Sequence, residues 1–571
     1  MKKQHLHRLI FALFCLPAVF ILAGCPTTGD SNASDDPSNS GDQWHLENTG
    51  QKAYASGPSS SGQDINQDSS YSFGISGNGV IVAIVDSGLE IAHTDLDDNV
   101  VAEQNWDFVG NDIDPTYSGT DGDHGTSVGG IVAAEENSNC CRGVAPKASL
   151  KGFNFIESTQ TTSEQIAALG GSSQYPHSDD VDIFNMSYGR SNNYDLLIDS
   201  TLEAHLASSV NTLRDGKGAI FVKSAGNGFE DFGSASCTAA NSEGLSCQNV
   251  SNDPPAATPY IINVGALNAE GKRSSYSTAG SGVWISAPGG EYGYNESLNP
   301  NLVEKAYKPA IMTTDQSGCD TGYARTQASP RNAFQDNSNG ANPNCDFTST
   351  FNGTSSAAPV TSGSIALMLE ANPSLTWRDV KHILASTARK VDPTESGVSV
   401  GLSNGNYQAD LGWFTNGAGY HFHNWYGFGA VNVDAAVEMA FSYSSGWGDL
   451  TTATGSKNAG SVAIPDNDKD GVTSEIVISE SLTIESVTIA VTITHGYCGD
   501  LGIELVSPAG TKSILFNIKN GFNSADLNGM VLLSNAYYAE NSAGTWTIRV
   551  LDGWSTTTGT FDSWDLTIYG H

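Results

Sequence analysis

The sequence is short of positive charge. Its 571 residues include 26 lysines and arginines against 62 aspartates and glutamates, which gives a formal net charge of −36. A surface with this excess repels nucleic acid and anionic lipid headgroups, so we expect neither as a partner. The same field favours basic substrates in a general way, although solubility and calcium tolerance outside the cell explain the composition more simply.

Long apolar runs are missing after the first 24 residues, so the sequence predicts no later membrane-spanning helix. The first segment has a basic start and a short apolar core over residues 9–22, as a cleaved export signal does. It ends in Leu22-Ala23-Gly24-Cys25, which resembles the lipobox of bacterial lipoproteins. We therefore predict a signal peptide over residues 1–24 and an exported protein. Its lipid-modified Cys25 is its one contact with a membrane, at the outer membrane or cell surface. An ordinary signal peptide without lipidation is the alternative.

Cysteine is also sparse, and zinc-type Cys/His spacing is absent, which disfavours a zinc site. Seven cysteines remain after export and lipidation, and in an oxidising compartment most should pair. Cys237 and Cys247 close a short loop and form the best pair. Cys319 pairs with Cys345, or Cys345 pairs with Cys140. The adjacent cysteines at 140 and 141 are not expected to pair with each other, because such a bridge is strained.

The remaining sequence divides into a polar tether and two folded domains. Residues 25–42 lack apolar periodicity and predict a flexible tether. Residues 43–445 alternate short β-branched runs with helical stretches, which predicts an α/β domain with a mostly parallel sheet. Residues 446–571 alternate Thr, Ser and Val between turns, without helices, which predicts an all-β sandwich.

Particular segments carry this prediction. Expected strands of the first domain are residues 80–85, 181–184, 219–222 and 260–264, and expected helices are 163–169 and 197–213. Expected strands of the second domain are 487–493, 501–506 and 545–550. Residues 291–345 are rich in Asn, Ser, Gly and Gln and predict a surface insertion.

Three short segments together carry the chemistry of acyl transfer. Asp86 ends a predicted buried strand, His124 opens the segment HGTS, and Ser355 follows Gly353 and Thr354 at the start of a helical run. A serine hydroxyl must lose a proton, a base near neutral pKa must take it, and a carboxylate must orient that base. Each segment alone has an ordinary structural explanation, such as a turn or a helix cap. Their order Asp, His, Ser is that of subtilisin.

The chain resembles the subtilases, and among them the kexin and furin group of proprotein convertases. The resemblance spans about residues 43–445. It rests on VAIVDSGLEIAHTDL at 82–96, HGTSVGGIVAA at 124–134, VDIFNMSYG at 181–189, VKSAGNG at 222–228 and GTSSAAP at 353–359. Its pattern places the nucleophile directly after Gly-Thr, hence Ser355 and not Ser356. A sedolisin would carry Glu in place of His124.

The resemblance implies further site residues. Asn227 would be the side-chain donor of the oxyanion hole, beside the backbone N–H of Ser355. Such donors must be in place for the tetrahedral intermediate. Residues Ser187, Tyr188 and Gly189 would pair with the substrate backbone, and Ala225 and Gly226 would line the S1 pocket.

The last 120 or so residues resemble the convertase P domain, through THGYCGDL at 494–501, LVSPAGT at 505–511, GTW at 544–546 and VLD at 550–552. This implies a β-sandwich that packs on the catalytic domain and stabilises it.

Structural calcium is the expected cofactor. Asp107, Asp112 and Asp114 place three carboxylates within eight residues, and hard cations require such oxygens. Convertases have the same acidic spacing, and Asp95 and Asn137 match a second calcium site of the family. A solvated acidic loop is the alternative.

The pattern also departs from the convertases, which cut after basic residues using an acidic pocket. Asn192 stands about where the group has an acidic residue, and Thr278 replaces another acidic residue. Glu230, Asp231 and Asp253 could still contribute negative charge. The prodomain common in subtilases is not apparent, so folding either needs no chaperone or uses a separate protein.

The sequence therefore predicts a serine endopeptidase acting on proteins and peptides, with a possible basic preference at P1. An inactive binding module and an ester hydrolase are the rival hypotheses.

Overall fold

The computed structural model describes residues 40–68, 73–120, 122–190, 193–194, 197–230, 237–325, 331–336, 338 and 340–571. The signal peptide, Cys25, most of the tether, Asn192 and Asp231 lie outside these residues. Among the described helices, none is both long and apolar enough to cross a membrane.

A seven-stranded parallel sheet forms the centre of the α/β part, with strand order β2-β3-β1-β4-β5-β6-β7. Its strands are β1 Ile81–Asp86, β2 Trp106–Asp107, β3 Ser149–Asn154, β4 Ile183–Met186, β5 Ile220–Ser224, β6 Ile261–Leu267 and β7 Ile285–Pro288. The central strands are buried on both faces, which explains why their sequences are continuous apolar runs. The α/β prediction is confirmed.

Seven helices accompany the sheet within the described residues. They are α1 His124–Ala133, α2 Thr162–Ala168, α3 Ser200–Thr212, α4 Thr238–Glu243, α5 Thr354–Ala371, α6 Trp377–Thr387 and α7 Val433–Ser442. Helix α5 is buried over nearly its whole length. Helix α3 begins three residues later than predicted, because the side chain of Asp199 accepts the N–H groups of Thr201 and Leu202 and so caps it there.

The prediction of a surface insertion over residues 291–345 is wrong in part. This segment contains β8, Ile311–Thr314, which is buried and pairs with β9, Phe347–Phe351. The hydroxyls of Thr313 and Thr314 donate to backbone carbonyls of α1, at 2.8 and 2.7 Å. Polar side chains can therefore lie in the interior here, because each one satisfies a helix carbonyl.

Two small hairpins lie between α6 and α7 in the chain: β10 Val398–Leu402 with β11 Gly405–Asp410, and β12 Phe414–Thr415 with β13 His421–Phe422. The C-terminal part is a sandwich of two four-stranded antiparallel sheets, ordered β14-β21-β16-β19 and β15-β20-β17-β18. Its strands are β14 Thr451–Ile464, β15 Asp468–Ile478, β16 Ile484–His495, β17 Leu501–Val506, β18 Lys512–Phe516, β19 Leu527–Ser534, β20 Gly544–Asp552 and β21 Gly559–Gly570. The predicted all-β sandwich is confirmed.

The sandwich packs directly on the α/β part. Arg378 of α6 forms an ion pair with Glu485 of β16, with both side chains mostly buried. The hydroxyl of Ser281 donates to the carbonyl of Leu533 at 2.7 Å. Two disulfides lie in the α/β part, Cys237–Cys247 and Cys319–Cys345. The alternative pairing of Cys345 with Cys140 is therefore wrong.

Candidate active site

Asp86 and His124 form a hydrogen-bonded pair at the carboxyl end of the central sheet. Asp86 is the last residue of β1, and its carboxylate is fully buried. His124 is the first residue of α1, and its Nδ1 lies 2.7 Å from Asp86 Oδ1. The same carboxylate oxygen accepts the backbone N–H of Ser87. Because Nδ1 is bound to Asp86, the other ring nitrogen, Nε2, is left to act as a base.

The charge around His124 favours its protonated form. Burial lowers the pKa of His124, but the charge of Asp86, its hydrogen bond and the charge of Asp123 together raise it, and the net direction is upward. The environment therefore stabilises the imidazolium that forms when a hydroxyl gives up its proton.

Ser355 is the second residue of α5, and it faces an open cleft of about 450 Å³. Its hydroxyl donates to the carbonyl of Ser187 at 3.0 Å. Ser356 is fully buried, and its Oγ has no hydrogen-bond partner among the described residues. Of the two serines, Ser355 is thus the one that a substrate can reach.

The amide of Asn227 stands beside this serine. Its Oδ1 accepts both the N–H and the hydroxyl of Thr354, each at 2.9 Å. With the oxygen occupied in this way, the Nδ2 group is the donor that remains for a ligand. Gly353 has a φ of +109°, and a Cβ there would lie 3.2 Å from Asn227 Nδ2. Glycine therefore suits this turn both in conformation and in the space it leaves.

The predicted substrate-binding residues meet along the same cleft, apart from one. The lining includes Ser187, Tyr188, Gly189, Arg190, Ser224, Gly226, Asn227, Gly228, Glu230, Gln248, Thr354 and Ser355. Ala225 is set back from this lining, because it is buried in an apolar cluster with Val250, Ala256 and Val283.

The acidic residues near the cleft are already paired with lysines. Glu230 lines the cleft and forms an ion pair with Lys305. Asp253 forms an ion pair with Lys223 of β5 at 2.8 Å, with the lysine almost fully buried. A Cβ at Gly189 would lie 2.6 Å from Asp253 Oδ2. The Asp253–Lys223 ion pair therefore lies against Gly189, on the side to which a side chain at this position would point. Thr278 accepts the N–H of Gly228 at 2.9 Å.

The sequence reasoning missed Lys223, although a signal was present. A lysine inside the buried apolar run IFVKS of β5 needs a buried counter-charge. The reasoning also missed Asp123, which caps α1. An Asp directly before a helix start is a recognisable N-cap.

One predicted calcium-binding pair is brought together. Asp95 is buried, and its backbone carbonyl accepts the N–H of Glu135. Asn139 links the predicted residues, since its N–H donates to Asn137 Oδ1 at 2.7 Å and its Nδ2 lies 3.4 Å from Asp95 Oδ1. A carboxylate with amide and carbonyl oxygens nearby is a donor set that fits Ca²⁺.

The side chains of the other predicted calcium set, Asp107, Asp112 and Asp114, come together less completely. A Cβ at Gly110 would lie 2.7 Å from Asp107 Oδ2 and 2.9 Å from Asp112 Oδ2, so two carboxylates approach each other there. Asp114 accepts the N–H of Thr116 at 3.1 Å in the next turn. In the described part of the chain, no three Asp, Glu, His or Cys side chains gather as a metal site. A cation at this loop would therefore need carbonyl oxygens as well.

Taken together, these side chains define a serine hydrolase site on an α/β sheet. The subtilase family matches residues 77–429, and the proprotein convertase P-domain matches residues 484–568. The chain belongs to the subtilase family, and it is a serine endopeptidase related to kexin and the proprotein convertases.

Two relatives and one solved structure support this assignment. The chain is 36% identical to the Aeromonas extracellular serine protease of Aeromonas sobria, over 97% of this chain and 92% of that protein. It is 29% identical to kexin of Saccharomyces cerevisiae, over 92% of this chain and 56% of kexin. The crystal structure of the A. sobria serine protease in complex with the chaperone ORF2 superposes with a TM-score of 0.84 at 34% identity. That match covers 93% of this chain and 94% of the other.

Proposed function

We propose that this protease cleaves peptide bonds through an acyl-enzyme formed on Ser355. The observation that carries the proposal is the hydrogen-bonded Asp86–His124 pair at the carboxyl end of the sheet, together with the cleft that Ser355 and Asn227 line. His124 takes the proton of the Ser355 hydroxyl as that oxygen attacks the carbonyl, and Asp86 holds the ring in the required tautomer. His124 then gives the proton to the leaving amine, and water releases the acyl group by the same steps.

Asn227 Nδ2 and the backbone N–H of Ser355 serve as donors to the oxyanion. The carbonyl of Ser187 is a ready acceptor for a substrate N–H, and it now holds the Ser355 hydroxyl. A bound peptide that takes this carbonyl would release the hydroxyl to His124. This arrangement favours extended peptides over simple esters.

The finer proposal is a preference for Lys or Arg at P1, carried by Glu230. Glu230 is the carboxylate among the described residues that line the cleft. Asp253 is outside this lining, and its charge is compensated by the ion pair with Lys223. Because Glu230 also pairs with Lys305, the preference should be weaker than that of an uncompensated acidic pocket.

A labelling experiment and a peptide library test these proposals separately. A fluorophosphonate should label wild-type protein at Ser355, and neither S355A nor H124A should react. Folded wild-type protein that stays unlabelled would remove the active-enzyme proposal and favour a binding module. The library should show Lys or Arg enriched at P1, and E230Q should reduce that enrichment about tenfold. Equal cleavage after all residues, in wild type and E230Q alike, would contradict the basic preference.

We also propose that calcium braces the scaffold through Asp95 and Asn137, and through Asp107, Asp112 and Asp114. The closeness of Asp95 and Asn137 to Asn139, and of Asp107 to Asp112, supports this. Calorimetric titration of metal-free protein with Ca²⁺ tests it directly. Heat of binding that is lost in D95N would support the first site.

The remaining proposals concern export and folding. We propose that the protein is exported, which the name of the extracellular A. sobria relative supports. We also propose that a lipid on Cys25 anchors it, which rests on the leading segment of the sequence alone. A separate folding chaperone is a further proposal, supported by the relative that was crystallised with one. Mass spectrometry of the mature N-terminus tests the anchor, and an unmodified or absent Cys25 would refute it.

A further inference from the structure

Two buried carboxylates lie close to His124. Asp86 is hydrogen-bonded to the ring, and Asp123 acts on it through other contacts. Asp123 precedes His124 and is the N-cap of α1, with no exposed surface. Its two carboxylate oxygens accept hydrogen bonds from four donors. These are the hydroxyl of Ser87, the N–H of Gly125, and the N–H and hydroxyl of Thr126.

These bonds connect α1 to the turn that follows Asp86. Ser87 donates its hydroxyl to Asp123 Oδ1 at 3.0 Å and its N–H to Asp86 Oδ1 at 2.7 Å. The Thr126 hydroxyl donates to Asp123 Oδ2 and accepts the N–H of Glu90, both at 2.7 Å. A closed network thus fixes the helix that carries His124 against the strand end that carries Asp86.

An ordinary helix cap does not need this arrangement. A serine or threonine cap satisfies one or two backbone N–H groups with a single oxygen. Here the second oxygen of the carboxylate is used for Thr126, and the negative charge is buried one residue from the imidazole. We propose that Asp123 is a positioning residue for His124, which fixes its ring relative to Asp86 and favours its protonated form in the reaction.

The electrostatic surroundings are consistent with that role. The carboxylate of Asp123 is among the groups that raise the pKa of His124, after Asp86. Burial raises the pKa of Asp123 itself to about 6, against the hydrogen bonds from Thr126 and Ser87 that lower it. The other charged groups facing it are Asp86 at the end of β1 and Asp315 after β8. Asp123 is therefore largely ionised at neutral pH, and its titration is coupled to that of His124.

The proposal rests on the proposed function, so its test uses a probe that needs no peptide substrate. The rate of fluorophosphonate labelling of Ser355 is measured from pH 5 to 9 in wild type, D123N and D123S. Asn can still cap the helix, but it carries no charge. We expect D123N to shift the acid limb of the labelling rate about half a pH unit lower, because the removal of a nearby negative charge lowers the pKa of His124. The labelling rate at the plateau should also fall about tenfold, with D123S falling at least as far.

The matched control is D199N, because Asp199 caps α3 by accepting two backbone N–H groups, as Asp123 does for α1, but without the two hydroxyl bonds. D199N should leave the pH midpoint of the acid limb unchanged and the plateau labelling rate within twofold of wild type. If folded D123N behaves as D199N does, Asp123 is only a helix cap and the proposal is wrong. Wild-type protein that does not label at all would instead count against the proposed hydrolase activity.

A measurement on the wild-type protein covers the case in which D123N does not fold. The ¹³C-labelled ring of His124, assigned by its loss in H124Q, is titrated by NMR. The same titration is made on S87A, which loses the hydroxyl bond to Asp123 Oδ1 and leaves the side chains of Asp86 and His124 in place. A lower midpoint in S87A supports the proposal, and equal midpoints in the two proteins overturn it.

Discussion

Replacement of Asn227 by Asp tests whether its amide donates to the oxyanion. The side chains have the same shape, and an Asp at this position keeps an oxygen where Thr354 donates its N–H and hydroxyl, each at 2.9 Å. The substitution therefore preserves the shape and the contacts with Thr354, but it exchanges the Nδ2 donor for a second acceptor and adds a negative charge. Few positions in the site allow a donor to be removed with so little change of shape.

The expected loss follows from the chemistry of that one donor. Removal of an oxyanion-hole donor costs about 2.7–4 kcal/mol of transition-state stabilisation, or about 10²–10³ in kcat. The new negative charge opposes the oxyanion, so we expect N227D to lie at the upper end of this range. KM should change by less than about threefold, because the donor acts mainly on charge that develops in the transition state.

The assay is steady-state cleavage of a peptide found in the library, with fluorophosphonate labelling as an independent readout. T354V is the matched variant, since it removes one of the two bonds that orient the amide but keeps the Nδ2 donor. We expect T354V to lose about tenfold in kcat, and the double variant to lose no more than N227D alone. The reasoning is refuted if N227D keeps kcat within tenfold of wild type, or if the double variant shows the full sum of both losses.

Three further predictions concern stability. The Cys237–Cys247 disulfide joins residues separated by 10 positions, so replacing both cysteines by serine should cost about 2.5–3 kcal/mol of unfolding free energy in denaturant titration, and no loss would argue that the bridge is dispensable. Burial raises the pKa of Asp315 to about 7, so the folded protein binds a proton there more tightly than the unfolded chain does, and the stability from this group falls as pH rises from about 4 to 7. D315N should therefore gain stability relative to wild type by up to about 1.4 kcal/mol per pH unit in that interval, and parallel Tm-versus-pH curves would contradict this. Calcium at 100 times its dissociation constant should raise stability by about 2.7 kcal/mol in thermal unfolding, and a D95N variant with an unchanged calcium response would exclude Asp95 as a ligand.

Much of the fold follows from local patterns in the sequence. The run 80–85 became β1, shifted by one residue, because a β-branched segment buried on both faces is stable only as an interior strand. The segment 501–506 is β17 without any shift. The prediction of a surface insertion over residues 291–345 was wrong in part, because the buried strand β8 lies within this polar segment. Its threonine hydroxyls are satisfied by carbonyls of α1, which are distant in sequence.

The sequence by itself determined the reactive groups and their local settings. The order of Asp86, His124 and Ser355, the glycine before the helix that carries Ser355, and the Asn227 segment each follow from short motifs, because a cap, a turn or a strand end needs only neighbouring residues. Only the tertiary structure decided how charge is distributed around the cleft. It paired Asp253 with Lys223 and Glu230 with Lys305, and it brought the Ser87 hydroxyl from the turn after β1 to Asp123. These contacts join residues far apart in the chain, and the energy of a buried charge depends on which partner the fold brings within a few ångströms.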